Sequence, residues 1–192
     1  MRIGVYSGSF DPIHTGHAML ANYVAQWGRV DEVWLMVSRL NPLKAGHAPA
    51  EDRHRLAMAA LVAAKCRCVE VSDFELSLPL PSYTYVTLCK LRERYPEHEF
   101  VLVIGSDNLL SLDKWRNADD ILRQFGMIVY PRPGYELPDQ LPEGVEVLGP
   151  DVPEALVSST FIRDALAQDK DICYFVPSEV AEYIKENNLY KN

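Results

Sequence analysis

The stretch "YSGSFDPIHTGH", residues 6–17, places His14 and His17 three residues apart around Gly16, directly after the apolar run "RIGVY". Imidazoles at the mouth of a strand add nothing to a core, but they can do chemistry. Two ring donors beside the free N–H groups of a starting helix form a site for an anion, and Thr15 is the expected N-cap of that helix. The loop lacks both the three-glycine pattern of a dinucleotide loop and the glycine-lysine pattern of a P-loop. The histidines stand in that role, able to bind a phosphate and to follow the charge that builds on it during transfer. A zinc site would need a third ligand, and His47, His54 and His98 stand at no ligand spacing, so no protein-held metal is expected.

A second constellation lies far along the chain. "VSSTFIR", residues 157–163, brings the hydroxyls of Ser158, Ser159 and Thr160 and the guanidinium of Arg163 to the start of another helix. Hydroxyls and free N–H groups there make a further anion cradle, to which Arg163 adds a cation fork. The two together suit a polyphosphate.

The elements that must position these groups follow from the apolar pattern. "RIGVY", "EVWLMV", "CVEV", "FVLVI", "MIVY" and "VEVL" read as strands with helices between them. Met19, Leu20, Tyr23, Val24 and Trp27 recur at helical spacing, closed by Gly28. A second helix is expected through "AEDRHRLAMAALVAAK", and a third from Ser82 as N-cap to just before Pro96. The tail "VPSEVAEYIKENNLYKN" reads as an amphipathic helix capped by Ser178, and residues 131–154 as surface loops around one short strand, serving as linker or flap. Continuous apolar strands alternating with helices predict an α/β, doubly wound parallel sheet in one domain over residues 1–192, with a C-terminal helical part from about residue 158. Ligands of such sheets sit beyond the carboxyl ends of the strands where strand order reverses, here "YSGSFDP" and "IGSDN". Gly8 and Gly105 let backbone approach a ligand there.

Composition narrows the function. The chain has 192 residues, 48% apolar and 24% charged, with a formal charge of -8. That balance suits a folded domain and disfavours one that coats nucleic acid, which needs a dense cationic face. No apolar run approaches a membrane span and no signal-type segment opens the chain, so a cytoplasmic protein is expected. Cys66, Cys68, Cys89 and Cys173 are too few and scattered for a disulfide framework and are expected as buried thiols.

"SGSFDPIHTGH" resembles the G-x-F-D-x-x-H-x-G-H signature of the nucleotidyltransferase superfamily with the T/H-x-G-H motif, and "VSSTFIR" looks like its second signature, I-S-S-T-x-I-R. Within it, "NPLK", "PSYTYVTL", "IGSDNLLSLDKW" and "VYPRPGY" resemble the nicotinate mononucleotide adenylyltransferases. The resemblance implies a Rossmann-like fold and adenylyl transfer from ATP to nicotinate mononucleotide, giving nicotinate adenine dinucleotide and pyrophosphate in NAD biosynthesis. It implies His14, His17, Lys44 and Arg163 as catalytic groups. Ser7, Gly8, Ser9, Phe10, Gly105, Asp107, Ser158, Ser159 and Thr160 would bind ATP, with Asp107 on the ribose. Tyr83, Thr84 and Trp115 would line the pyridine pocket, and Arg132 would meet the nucleotide phosphate or carboxylate. Mg²⁺ is expected, held mainly through the ATP phosphates. Many relatives carry a histidine where Leu43 stands, which leaves His47 as the imidazole of that loop. A homo-oligomer is compatible with this reading. A sister activity, such as phosphopantetheine adenylyltransferase or a cytidylyltransferase, shares the H-x-G-H loop and differs in its acceptor pocket; a non-catalytic nucleotide sensor would bind ATP without turnover.

Overall fold

The computed structural model describes residues 1–39 and 50–191. Lys44 and His47, singled out above, lie outside the described residues. All six expected strands form: β1 (Arg2–Gly8), β2 (Glu32–Val37), β3 (Val69–Ser72), β4 (Glu99–Gly105), β5 (Met127–Tyr130) and β6 (Val145–Val147). They make one parallel sheet in the order β3-β2-β1-β4-β5-β6. Strand order therefore reverses between β1 and β4, the two strands whose ends carry the expected ligand loops.

The side-chain period of two divides the sheet's residues between two cores. Leu35, Val101 and Val103 face one layer, formed with α1 (Thr15–Trp27), α2 (Asp52–Ala63), α6 (Ser159–Ala167) and α7 (Ser178–Glu186). Ile3, Val5, Leu102 and Ile104 face the other, formed with α3 (Thr84–Arg94) and the short helices α4 (Ser106–Leu109) and α5 (Ala118–Gln124). Both faces are thus covered, which is why the strands read as unbroken apolar runs rather than alternating ones. Helix α1 presents Leu20, Ala21, Val24 and Ala25 to its core, while Trp27 stays largely exposed and stacks on Tyr23 at 4.8 Å.

Several local expectations are corrected. Thr15 does not cap α1; His14 does, and Thr15 is the first helical residue, its N–H donating to the Phe175 carbonyl at 3.0 Å. Ser82 does not cap α3, whose N-cap is Tyr83; its hydroxyl donates instead to Glu75 Oε1 at 3.1 Å. Ser178 is the first residue of α7 rather than its cap, and Pro177 holds the cap position. The thiols are not deeply buried: Cys66, Cys68 and Cys89 are half-buried and Cys173 is exposed. Helices α4 and α5, of four and seven residues, went unread because they are too short for a helical period to register. Among the described residues, no helix is long and apolar enough to cross a membrane.

Candidate active site

The loop after β1 folds its polar residues over the sheet's switch point. The cap of α1 and the third residue of that helix show why this spacing of histidines is used. His14 caps α1 with extended backbone, and its ring accepts from the His17 N–H, Nδ1 lying 3.4 Å away. In return the Nδ1 of His17 accepts from the His14 N–H at 3.2 Å. The two rings thereby stack, with centroids 3.6 Å apart. Because each Nδ1 accepts a hydrogen bond, each neutral ring carries its proton on Nε2, the tautomer that donates away from its own backbone. Gly16 leaves the pair room: a Cβ there would stand a tight 3.1 Å from His14 Nδ1 and 3.2 Å from the Ala155 Cβ.

Burial keeps this pair uncharged. Desolvation, and then the Arg132 charge, lower the His14 pKa to about 4. Desolvation, His14 and Arg132, in that order, hold His17 well below its usual value. Behind His17 stands Phe10, 1% exposed and at a positive φ of 47°, with its ring edge-on to the imidazole at 5.1 Å. Phe10 thus backs the imidazole as well as bordering the cavity described below. Tyr6 packs edge-on against both Phe10 and Tyr130, and burial raises the pKa of each tyrosine.

The start of α6 faces the same space. Ser158 is its N-cap, Oγ accepting from the Phe161 N–H at 3.1 Å. The Ser159 hydroxyl donates to the Pro12 carbonyl at 2.9 Å, which fastens α6 to the β1 loop. Arg163 donates through Nη1 to the Asp11 carbonyl at 2.6 Å and through Nη2 to Thr160 Oγ1 at 3.1 Å.

One cavity of about 1430 Å³ collects these groups: Ser7, Gly8, Ser9, Phe10, His14, His17, Asp107, Arg132, Ser158, Ser159, Thr160 and Arg163 all line it. Opposite the histidines, Arg132 Nη1 donates to Asp107 Oδ2 at 2.8 Å, while the Arg132 N–H donates to Ser106 Oγ. Arg132 opens a turn in which Gly134 takes φ 82° and the Tyr135 N–H returns to the Arg132 carbonyl, so "RPG" is a turn as well as a source of charge. A neighbouring cavity of about 140 Å³ is lined by Thr84, Gly105 and Trp115 and shares Tyr6, Ser7, Asn108 and Tyr130 with the large one. Tyr83 borders neither; it is 38% exposed beneath the Arg116 guanidinium, 4.8 Å from its ring centre.

Three residues around the site escaped the sequence reading. Asp11, 1% exposed, holds the loop from inside. Tyr190 reaches it from beyond α7, its hydroxyl donating to Asp11 Oδ1 at 2.7 Å. Arg55, fully buried, ties the strand ends together by donating to the carbonyls of Ser9 at 2.6 Å and Ser38 at 2.8 Å, with Asp52 as its counterion. Two of them left a signal: Asp11 is the acidic residue of the first signature, and Arg55 falls on the same helical stripe as Met58, Ala59 and Val62, where an arginine is out of place unless it is paired.

Among the described residues no three or more potential metal-ligand side chains cluster, and the groups that line the cavity include the imidazoles of His14 and His17 and the guanidinium groups of Arg132 and Arg163. The cytidylyltransferase-like family model matches residues 5–165. The chain is 45% identical to the protein named probable nicotinate-nucleotide adenylyltransferase of Bacteroides thetaiotaomicron, covering 97% of this chain and 92% of that one. To the nicotinate-nucleotide adenylyltransferase of Bacillus subtilis it is 34% identical, over 100% of this chain and 99% of the relative. Among solved structures, the nicotinic acid mononucleotide adenylyltransferase of Plasmodium falciparum complexed with NaAD superposes with a TM-score of 0.81 at 21% identity, covering 98% of this chain and 97% of that one, and so shares the fold. The chain belongs to the cytidylyltransferase-like family and, within it, to the nicotinate-nucleotide adenylyltransferases.

Proposed function

We propose that this protein transfers the adenylyl group of ATP to nicotinate mononucleotide, giving nicotinate adenine dinucleotide and pyrophosphate. One observation carries the mechanism: neutral histidines 14 and 17, at one helix start, and the guanidinium of Arg163, at another, line a single cavity at the reversal of strand order. The attacking phosphate is already an anion, so no side chain need take its proton. The protein has instead to hold two negative groups in line and offset their repulsion. Uncharged Nε2 donors stabilise charge as it moves onto the transferring phosphate, and Arg163 supplies a fixed positive charge to the triphosphate. Lys44 would add a second cation from its loop.

Asp107 would receive the adenosine ribose, which requires its pair with Arg132 to open or to be shared with the ligand. Thr84 and the indole of Trp115, on the smaller cavity, suit a flat pyridine ring, and their cavity opens beside the phosphate site. The fit of a magnesium ion follows from the donors present. Asp11 is engaged by Tyr190 and the Ala50 N–H, so no acidic cage faces the phosphates among the described residues. Magnesium would be held by the triphosphate's own oxygens, where it neutralises phosphate charge.

An acceptor panel tests the reading. With ATP or CTP as donor, pyrophosphate release is measured with nicotinate mononucleotide, nicotinamide mononucleotide and phosphopantetheine. ATP with the nicotinate form is expected to react fastest, and Trp115→Ala is expected to raise KM for the mononucleotide about tenfold more than KM for ATP. Faster turnover with phosphopantetheine or CTP would replace the assignment by a sister activity, and ATP binding without turnover would replace it by a sensor.

A further inference from the structure

The two cavities share four lining residues, Tyr6, Ser7, Asn108 and Tyr130, which mark the passage between them. At about 140 Å³ the smaller cavity has room for a ring but not for a whole nucleotide, so an acceptor whose ring enters it must hold its phosphate at that passage to reach the larger one. Two of the four polar groups are engaged elsewhere: the Ser7 hydroxyl bonds to Glu75, and the Asn108 amide donates to Asp107 Oδ1 at 3.4 Å. The other two are phenols. Tyr6 stands on β1 and Tyr130 at the end of β5, with β4 between them, yet their rings meet edge-on at 6.2 Å. Gly105, opposite Tyr130 in the register, leaves room for this: a Cβ there would stand 3.1 Å from Tyr130 Cζ and 2.6 Å from Arg132 Cδ.

Tyr6 and Tyr130 are joined through their hydroxyls, and burial above all pushes both phenols over their ordinary pKa, so both keep their protons. One bond between two hydroxyls uses one proton, and the second is left to be donated to a ligand. The place is close to the reacting groups: the Tyr6 ring lies 6.1 Å from the His17 imidazole, and the Arg132 charge acts on both phenols. A phosphate at the passage would therefore meet a hydroxyl donor and a neighbouring cation, with the imidazoles just beyond. A hydroxyl bond to an anionic oxygen is shorter and stronger than one between neutral groups. Of the two phenols Tyr130 is the more open, half-buried where Tyr6 is only 6% exposed. We infer that the Tyr130 hydroxyl, held in place by Tyr6, binds the phosphate of the acceptor nucleotide at the junction of the two cavities. The inference rests on the reading of the smaller cavity as the pocket for the acceptor's ring.

Steady-state kinetics on the full-length chain test it, with nicotinate riboside, the acceptor stripped of its phosphate, as a competitive inhibitor. Tyr130→Phe keeps the ring and removes only the hydroxyl. It is expected to raise KM for nicotinate mononucleotide about tenfold, the scale of one hydrogen bond to a charged group, with kcat and KM for ATP within about twofold of native. The inhibition constant of the riboside should not move, because the riboside has no phosphate for the hydroxyl to hold. An unchanged KM for the mononucleotide overturns the inference. So does an equal weakening of mononucleotide and riboside, which would assign the hydroxyl to the sugar or the ring, and so does an equal rise in both KM values, the mark of a merely structural bond. Should Tyr130→Phe fail to fold, Tyr6→Phe replaces it: it frees the Tyr130 hydroxyl from its holder and must raise KM for the mononucleotide without moving the riboside for the inference to stand. Native protein that releases pyrophosphate with another acceptor and not with nicotinate mononucleotide overturns the proposed function, and this inference with it, a result distinct from any change between variants.

Discussion

The starts of α1 and α6 face one cavity and would meet the proposed triphosphate by opposite means. At α1 the donors are neutral: two stacked imidazoles cap each other's backbone, buried so that neither takes a proton easily. At α6 the donor is a guanidinium, charged at any working pH, and the capping is left to a serine. A neutral donor costs little to bury and costs nothing to reorganise, so it can sit against the reacting phosphorus. A permanent cation would attract the triphosphate from further away, and here its two Nη groups are fixed by the Asp11 carbonyl and Thr160 Oγ1. On the proposed function the work divides between the two ends: geometry at α1, charge at α6.

The sharpest way to break this division is at the α1 end. His17→Ala removes a ring donor and half of the reciprocal cap. Turnover is expected to fall by more than about a hundredfold, as for loss of a preorganised transition-state donor. Stability should drop by only about 1 kcal/mol, the usual cost of a lost helix cap. Pyrophosphate release at saturating substrates and urea unfolding measure the two quantities separately. Turnover within a few-fold of native would remove the imidazoles from the chemistry.

The neutrality of the α1 end predicts a pH dependence of stability that the α6 end lacks. The folded pKa of His14 is lowered to about 4 from an ordinary 6.5, so between those values the unfolded chain binds more protons than the folded one. Its contribution to stability is complete above about pH 6.5 and is lost as pH falls toward 4; His17, shifted the same way, adds to the trend. His14→Asn keeps a capping oxygen but cannot titrate. The stability difference between native and variant proteins should therefore change by up to about 3 kcal/mol between pH 7 and pH 4, measured by urea unfolding. Parallel pH curves would mean that the pair is not held neutral by burial.

How much of this was legible in the sequence differs between the two ends as well. His14 and His17 raised the expectation of an anion site through residue type and spacing, and six apolar runs matched the six strands of the sheet among the described residues. That the histidines cap one another was not legible, because histidine is an unusual cap and Thr15 offered a commoner one. The Asp11–Tyr190 bond was out of reach for a different reason: it spans 179 positions, and nothing local to either residue signals the other. Arg132 and Asp107 were each assigned a substrate contact from resemblance, whereas their pairing with each other depends on the ends of β4 and β5 lying side by side. Arg55 could have been found as a charge on an apolar helix stripe.

At the α6 end, charge alone should not suffice. Arg163→Lys keeps the cation and loses the fork, so it can no longer hold the Asp11 carbonyl and Thr160 Oγ1 together. A fall in turnover of about tenfold is expected, with KM for ATP raised and the stability hardly changed. If lysine were fully active, α6 would be contributing only an electrostatic field, and the contrast with α1 would become one of distance instead of kind.

The smallest expected effect separates helix from chemistry at a single Cβ. Gly16→Ala adds a methyl group in the first turn of α1, where alanine's better helix propensity favours the fold by roughly 0.5–1 kcal/mol. That methyl also meets His14 Nδ1 at 3.1 Å and Ala155 Cβ at 3.2 Å, so the ring and the loop must each yield by a few tenths of an ångström. The two effects should nearly cancel in urea unfolding, leaving stability within about 1 kcal/mol of native. They cannot cancel in catalysis, because the displaced ring is one member of the stacked pair: turnover is expected to fall about three- to tenfold while KM for the mononucleotide holds. A variant as active as the native enzyme would show that the spacing of the imidazoles tolerates more play than a pair of preorganised donors should, and the glycine between them would then serve the loop at Ala155 alone.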